Sequence, residues 1–154
     1  MCNGVLCGLV SVTSSCDELE PWAGVVVAAI GVTCYSIGCW IMEKIEVDDP
    51  CEAFPLHTGG GLWGTLAVGL FSNVNGLFYN PDIKDGFRTL GVQLLGAVCI
   101  ITWVSTCSIL LFGSLKLAGI FRIEKEIEII GLDAAEIGGI EPETYEKIRN
   151  HTFV

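Results

Sequence analysis

Residues 47–71 read VDDPCEAFPLHTGGGLWGTLAVGLF. Two adjacent acids, Asp48 and Asp49, and a proline lead into an apolar run. That run carries one histidine, His57, followed after Thr58 by three glycines. Between Glu52 and Asp82, His57 is the only histidine, acidic or basic residue. An imidazole at the head of a membrane-type segment points to function, because a polar group is costly in lipid unless something uses it. Aspartate ahead of a helix accepts hydrogen bonds from its free N–H groups, so Asp48 or Asp49 is the expected cap. Pro55 is incompatible with a regular helix interior just upstream, so the helix proper is expected to start near His57. Gly60 and Gly64 repeat at four residues, with Gly59, Gly61 and Gly69 nearby. Such spacing lets two helix backbones approach closely in a membrane.

The surrounding chain fits a membrane setting. Of its 154 residues 51% are hydrophobic, and the mean hydropathy is +0.60. No charge occurs from Pro21 to Met42 or from Thr89 to Leu115, and each run is longer than the roughly 18 apolar residues that mark a candidate span. Net charge is −10, with no basic stripe, which excludes a nucleic-acid partner. Eight cysteines are present, but none forms a CxxC pair of zinc spacing. Cys51 and His57 alone do not make a metal site, so neither metal nor cofactor is expected.

Four apolar segments follow from this pattern. Segment one, Cys2 to Thr13, offers only about 16 Å of helix from Asn3 onward, short of the roughly 30 Å hydrocarbon core. It reads as a helix entered partway along, and its Gly4 and Gly8 suggest a packing face. Segment two spans Pro21 to about Met42, with Trp22 and Trp40 roughly 27 Å apart as interfacial anchors. Segment three is about Phe54 to Phe71. Segment four, about Phe87 to Leu117, measures roughly 45 Å and must tilt or emerge into water. The expected fold class is all-α: a polytopic membrane protein with about four transmembrane helices over residues 1–119, and a soluble tail over residues 120–154. Within the tail, Ile123, Ile127 and Ile130 would share a face if helical, and Glu141-Pro142 opens a short helix to about Asn150. Lys116, Arg122 and Lys125 beside the last span favour a cytoplasmic tail.

The opening stretch resembles the late pore helix of the Amt/Mep/Rh ammonium transporter family, whose pattern is close to DDxxDxFxVHGxGGxxGxxxTGxF. The matching residues are Asp48, Asp49, Glu52, Phe54, His57, Gly59, Gly60, Gly64, Gly69 and Phe71. NGVLCGLVSVTSSC is similar to the family's NGxLAGLVxITxxC helix, and the PWAG start of segment two and the VQLLG…W stretch of segment four also fit. Arg122, Glu128 and Gly131-Leu132-Asp133 resemble the cytoplasmic RxxxxxExxGLD element. Ile137 stands where the family usually has a histidine, and the terminal tyrosine motif is absent.

The resemblance implies a partial ammonium-transporter helical bundle, the last four of about eleven helices. It implies a pore in which His57 is the second of two hydrogen-bonded imidazoles, the first lying on an earlier helix. It places Asp48, Asp49, Phe54, Gly59, Gly60 and Gly64 in the architecture of that pore helix, and Arg122, Gly131 and Asp133 in a regulatory tail. The implied partners are ammonium or ammonia, the lipid bilayer, and sister subunits in a homo- or hetero-trimer, in the plasma membrane. The expected activity is ammonium transport, not enzymatic catalysis, since no nucleophile or carboxylate shares the span of His57. The alternative is a truncated, non-transporting subunit that regulates full-length transporters.

Overall fold

The computed structural model describes residues 2–123 and 125–131. Asp133 and the expected helix from Glu141 to Asn150 lie outside them. All regular structure among the described residues is helical: α1 (Cys2–Thr13), α2 (Pro21–Lys44), a π-helical turn (Pro55–Gly59), α3 (Gly60–Phe71), α4 (Ile83–Leu117) and α5 (Lys125–Ile130). The chain divides into two units, residues 1–102 and 103–154.

In the first unit α1, α2 and α3 pack on one another. Pro21 stands in the first turn of α2, where its missing N–H costs nothing. Helix α2 ends after Lys44 by turning back on itself. Glu46 N–H donates to Glu43 O (3.2 Å) and Val47 N–H to Met42 O (3.1 Å). Glu46 holds φ at +55° to do so, in a place where glycine is the usual occupant. A core of Ala23, Val27, Ala67 and Phe71 joins α2 to α3, with Val12, Leu19, Trp63 and Leu70 packed around it. Trp63 Nε1–H donates to Val27 O at 2.8 Å.

Among the described residues two helices, Pro21–Lys44 and Ile83–Leu117, are long and apolar enough to cross a membrane, and only 11% and 6% of their most apolar windows are buried within the chain. A core helix of a water-soluble protein would bury most of that surface. Helices α1 and α3 have 12 residues each, about 18 Å of helix, below the bilayer core. Segment four was expected from about Phe87, but α4 begins at Ile83, because Asp82 Oδ1 accepts Lys84 N–H at 2.9 Å and caps it one turn earlier.

In the second unit α4 ends in a glycine-terminated turn. Ile120 N–H donates to Leu115 O (3.2 Å) and Gly119 N–H to Lys116 O (3.1 Å), with Gly119 at φ +73°. This is the hydrogen-bond pattern that Glu46 forms at the end of α2. Glu46→Gly is therefore expected to raise stability by up to about 1 kcal/mol, read as a higher thermal midpoint in detergent. Helix α5 starts at Lys125, so Ile123 lies outside the helix on which a shared isoleucine face was expected, while Ile127 is half-buried.

Candidate functional site

The site is the π turn and what holds it. Asp49 accepts Ala53 N–H at Oδ1 (3.1 Å) and Phe54 N–H at Oδ2 (2.8 Å), satisfying donors that a helix start leaves open. Asp49→Ala is expected to cost about 1 kcal/mol, measured as a loss of unfolding free energy for the detergent-solubilised chain. Asp48 and Phe54 are exposed.

The helical path does not start near His57, as the sequence suggested: it begins at Ala53, passes through the π turn and becomes regular α-helix at Gly60. Pro55 supplies no N–H, and the backbone first opens into a wider π turn. Gly60 N–H donates back to Leu56 O and His57 O. Pro55 and Leu56 are buried while His57 and Thr58 are exposed. The turn thus lies with one edge on α1 and α2 and presents the imidazole on its other edge, away from that packing.

Glycines set how deeply the turn and α3 sit. A Cβ on Gly38 of α2 would fall 2.7 Å from Pro55 Cβ, and one on Gly59 would fall 3.3 Å from the carbonyl of Cys34. On Gly60 it would meet Cys7 Sγ at 2.8 Å, on Gly64 Ser11 O at 2.5 Å, and on Gly31 Ser11 Oγ at 1.9 Å. Except at Gly59, where the neighbours need give only a few tenths of an ångström, none of these gaps holds a methyl group. Gly4 and Gly8, by contrast, face α2 at ordinary contact, with nearest atoms 3.9 and 3.6 Å from an added Cβ. Polar groups at the junction pair locally. Ser11 Oγ–H donates to Cys7 O at 2.8 Å, and Cys7 Sγ–H to Gly31 O at 3.3 Å.

At the mouth of the turn stands Glu52. Its carboxylate accepts the Tyr35 hydroxyl from α2 and Asn3 Nδ2 from α1, the latter at 2.8 Å. These donors, the Tyr35 hydroxyl first, hold the Glu52 carboxyl below the usual glutamate range. A carboxyl depressed on folding adds stability above its unfolded value, and that stability is lost as pH falls through the folded value. Acidification below about pH 4.5 should therefore lower the thermal midpoint of the parent chain more than that of Glu52→Gln. Tyr35 and Asn3 were not singled out from sequence. The available signal was a phenol in the middle of an apolar run, since a tyrosine hydroxyl away from water needs a partner.

In the second unit Arg122 pairs with Glu128, both side chains largely exposed. Gly131, at φ +93°, follows α5 and donates its N–H to Ile127 O at 2.9 Å.

Chemically, the first unit presents an imidazole that both donates and accepts a hydrogen bond when neutral, on a rigid glycine-packed base. Among the described residues no three histidine, cysteine or acidic side chains gather as metal ligands would.

A model of the Ammonium Transporter Family matches residues 1–141. Ammonium transporter 3 of Dictyostelium discoideum is 35% identical over 146 residues, covering 89% of this chain and 34% of the relative. Ammonium transporter 1 member 1 of Arabidopsis thaliana is 32% identical over 165 residues, covering 100% and 33%. Ammonium transporter Amt2 of Archaeoglobus fulgidus is 35% identical over 147 residues, covering 88% and 30%. The chain spans about a third of the length of these relatives. No solved structure matches it.

Proposed function

This chain belongs to the ammonium transporter family, and from that premise we propose that it supplies the C-terminal, histidine-bearing part of an ammonium-conducting pore. The observation that carries the reading is the π turn: its buried edge is fixed on α1 and α2, and its free edge presents His57. In this reading the free edge faces the conduction path. His57 pairs there with an imidazole from the remaining two thirds of the transporter. A pair of neutral imidazoles passes a proton by accepting it on one nitrogen and releasing it from another. Ammonia and the proton then cross without a bare charge in lipid, whose cost is several kcal/mol.

On the same reading α1, the π turn with α3, and the two long helices are four membrane segments. The tail with Arg122, Gly131 and Asp133 is cytoplasmic and regulatory, and the assembly is a trimer in the plasma membrane.

The test is split complementation in ammonium-uptake-deficient yeast. The chain is expressed alone, and together with the preceding helices of a full-length relative. Growth on limiting ammonium is expected only with both pieces. Growth of neither, with the two pieces co-purifying, would replace the reading by the non-transporting regulatory subunit.

A further inference from the structure

Residue 52 carries an unusual combination. Glu52 holds φ at +54°, a region that costs a non-glycine residue about 1–3 kcal/mol and persists only where surroundings impose it. Here three sets of bonds impose it. Its N–H donates to Asp49 O at 2.9 Å, and its carbonyl accepts Leu56 N–H at 3.1 Å, the bond that starts the turn. Its carboxylate takes the Tyr35 hydroxyl and the Asn3 amide, and Asn3 Nδ2 also donates to Cys51 O at 3.3 Å. The residue that aims the chain into the π turn is thereby tied to α1 and α2 at once.

Packing seats the turn itself, where Pro55 meets Gly38 and Gly59 meets Cys34, but not the loop that enters it. Beside the clamp the loop stands off α2 around a cavity of about 160 Å³, lined in part by Cys39, Met42, Val47, Pro50 and Pro55. The loop residues 45–48 are all exposed. What fixes the entry to the turn is polar.

We propose that Tyr35 and Asn3, acting through the Glu52 carboxylate, are positioning residues that hold the π turn, and with it His57, at a single orientation. None of the three is placed against the imidazole; each acts on the backbone five residues ahead of it. The consequence for conduction rests on the pore reading above, but the positioning does not.

The test reads His57 itself. The full chain carrying His151→Gln, so that His57 is the one remaining histidine of two, is labelled with isotopic histidine, placed in lipid bilayers and observed by solid-state NMR. The parent is expected to give one narrow set of imidazole signals. Tyr35→Phe and Glu52→Ala are expected to split or broaden them, and Glu52→Gln, whose amide oxygen still accepts from both donors, to restore one set. Trp63→Phe removes a hydrogen bond to α2 elsewhere in the same helix cluster and should leave the His57 signals alone. Unchanged signals in Tyr35→Phe would overturn the proposal, as would equal broadening in Trp63→Phe. Should Glu52→Ala fail to fold, Tyr35→Phe decides, since it deletes one oxygen and no packing volume. A failed split-complementation test with an ordered His57 would remove the transport reading and leave the clamp standing.

Discussion

Gly64→Ala is expected to cost the chain about 3 kcal/mol, at the upper end for an overpacked core, and to lower its thermal midpoint in detergent by roughly 10 °C. The added methyl would stand 2.5 Å from the carbonyl oxygen of Ser11 and 3.1 Å from its Cα. Both are backbone atoms, so no rotamer change makes room and α1 must move away from α3. That movement also disturbs Gly60 on Cys7 and Ser11 on Gly31, which belong to the same contact. The informative comparison is Gly8→Ala on the neighbouring face of α1. There the nearest atom is Ala28 Cβ at 3.6 Å, an ordinary contact, and alanine gains helix propensity over glycine by about 1 kcal/mol. Gly8→Ala should be neutral or stabilising. If the two alanine variants unfold alike, the backbone approach is not what holds these helices together.

His57→Ala should leave the fold almost untouched and abolish ammonium uptake. The imidazole is exposed on the π turn, and truncating an exposed side chain changes stability by about 0.5 kcal/mol or less. Transport is a different matter. Alanine offers neither the donor nor the acceptor that a relay requires, so uptake in the reconstituted two-piece transporter should fall to that of cells lacking it. His57→Gln adds a sharper expectation. Its amide donates and accepts but takes up no proton at neutral pH, so ammonium-dependent current should vanish in this variant as well. Normal currents in either variant would detach His57 from the conduction path. The opposite profiles of Gly64→Ala and His57→Ala, one costing stability and the other transport, separate the scaffold from the site it carries.

Much of this scaffold can be read from residues 47–71 alone. An acid before an apolar run announces a cap, and Asp49 provides it. Glycines four apart announce a close crossing, and Gly60 and Gly64 make one. The same spacing at Gly4 and Gly8 yields only ordinary contact, because spacing shows which residues share a face and says nothing of how near the partner comes. Gly31 and Gly38, which do meet a partner tightly, have no such repeat. The π turn escaped periodicity because a proline and three glycines fit several backbone paths, and the choice among them is made by α1 and α2. The clamp escaped for another reason: Glu52 meets partners 17 and 49 positions away, and a single sequence carries no signal for polar pairs that distant. The early start of α4 was a local miss, since Asp82 sits in a polar loop where several residues could have capped.

The glycine junction of α1, α2 and α3 also has a bearing on leakiness. A protein that lets a small polar solute through one path must stay closed to it everywhere else, and seams between helices are the natural weak points. Where Gly31, Gly60 and Gly64 meet Cys7 and Ser11, an added Cβ would fall within 2.8 Å of a neighbouring atom, so the helices there stand in direct atomic contact. Helix meets helix there as a gasket, in contrast to the open cleft of about 640 Å³ that α1 and α2 leave along the face of Gly4 and Gly8.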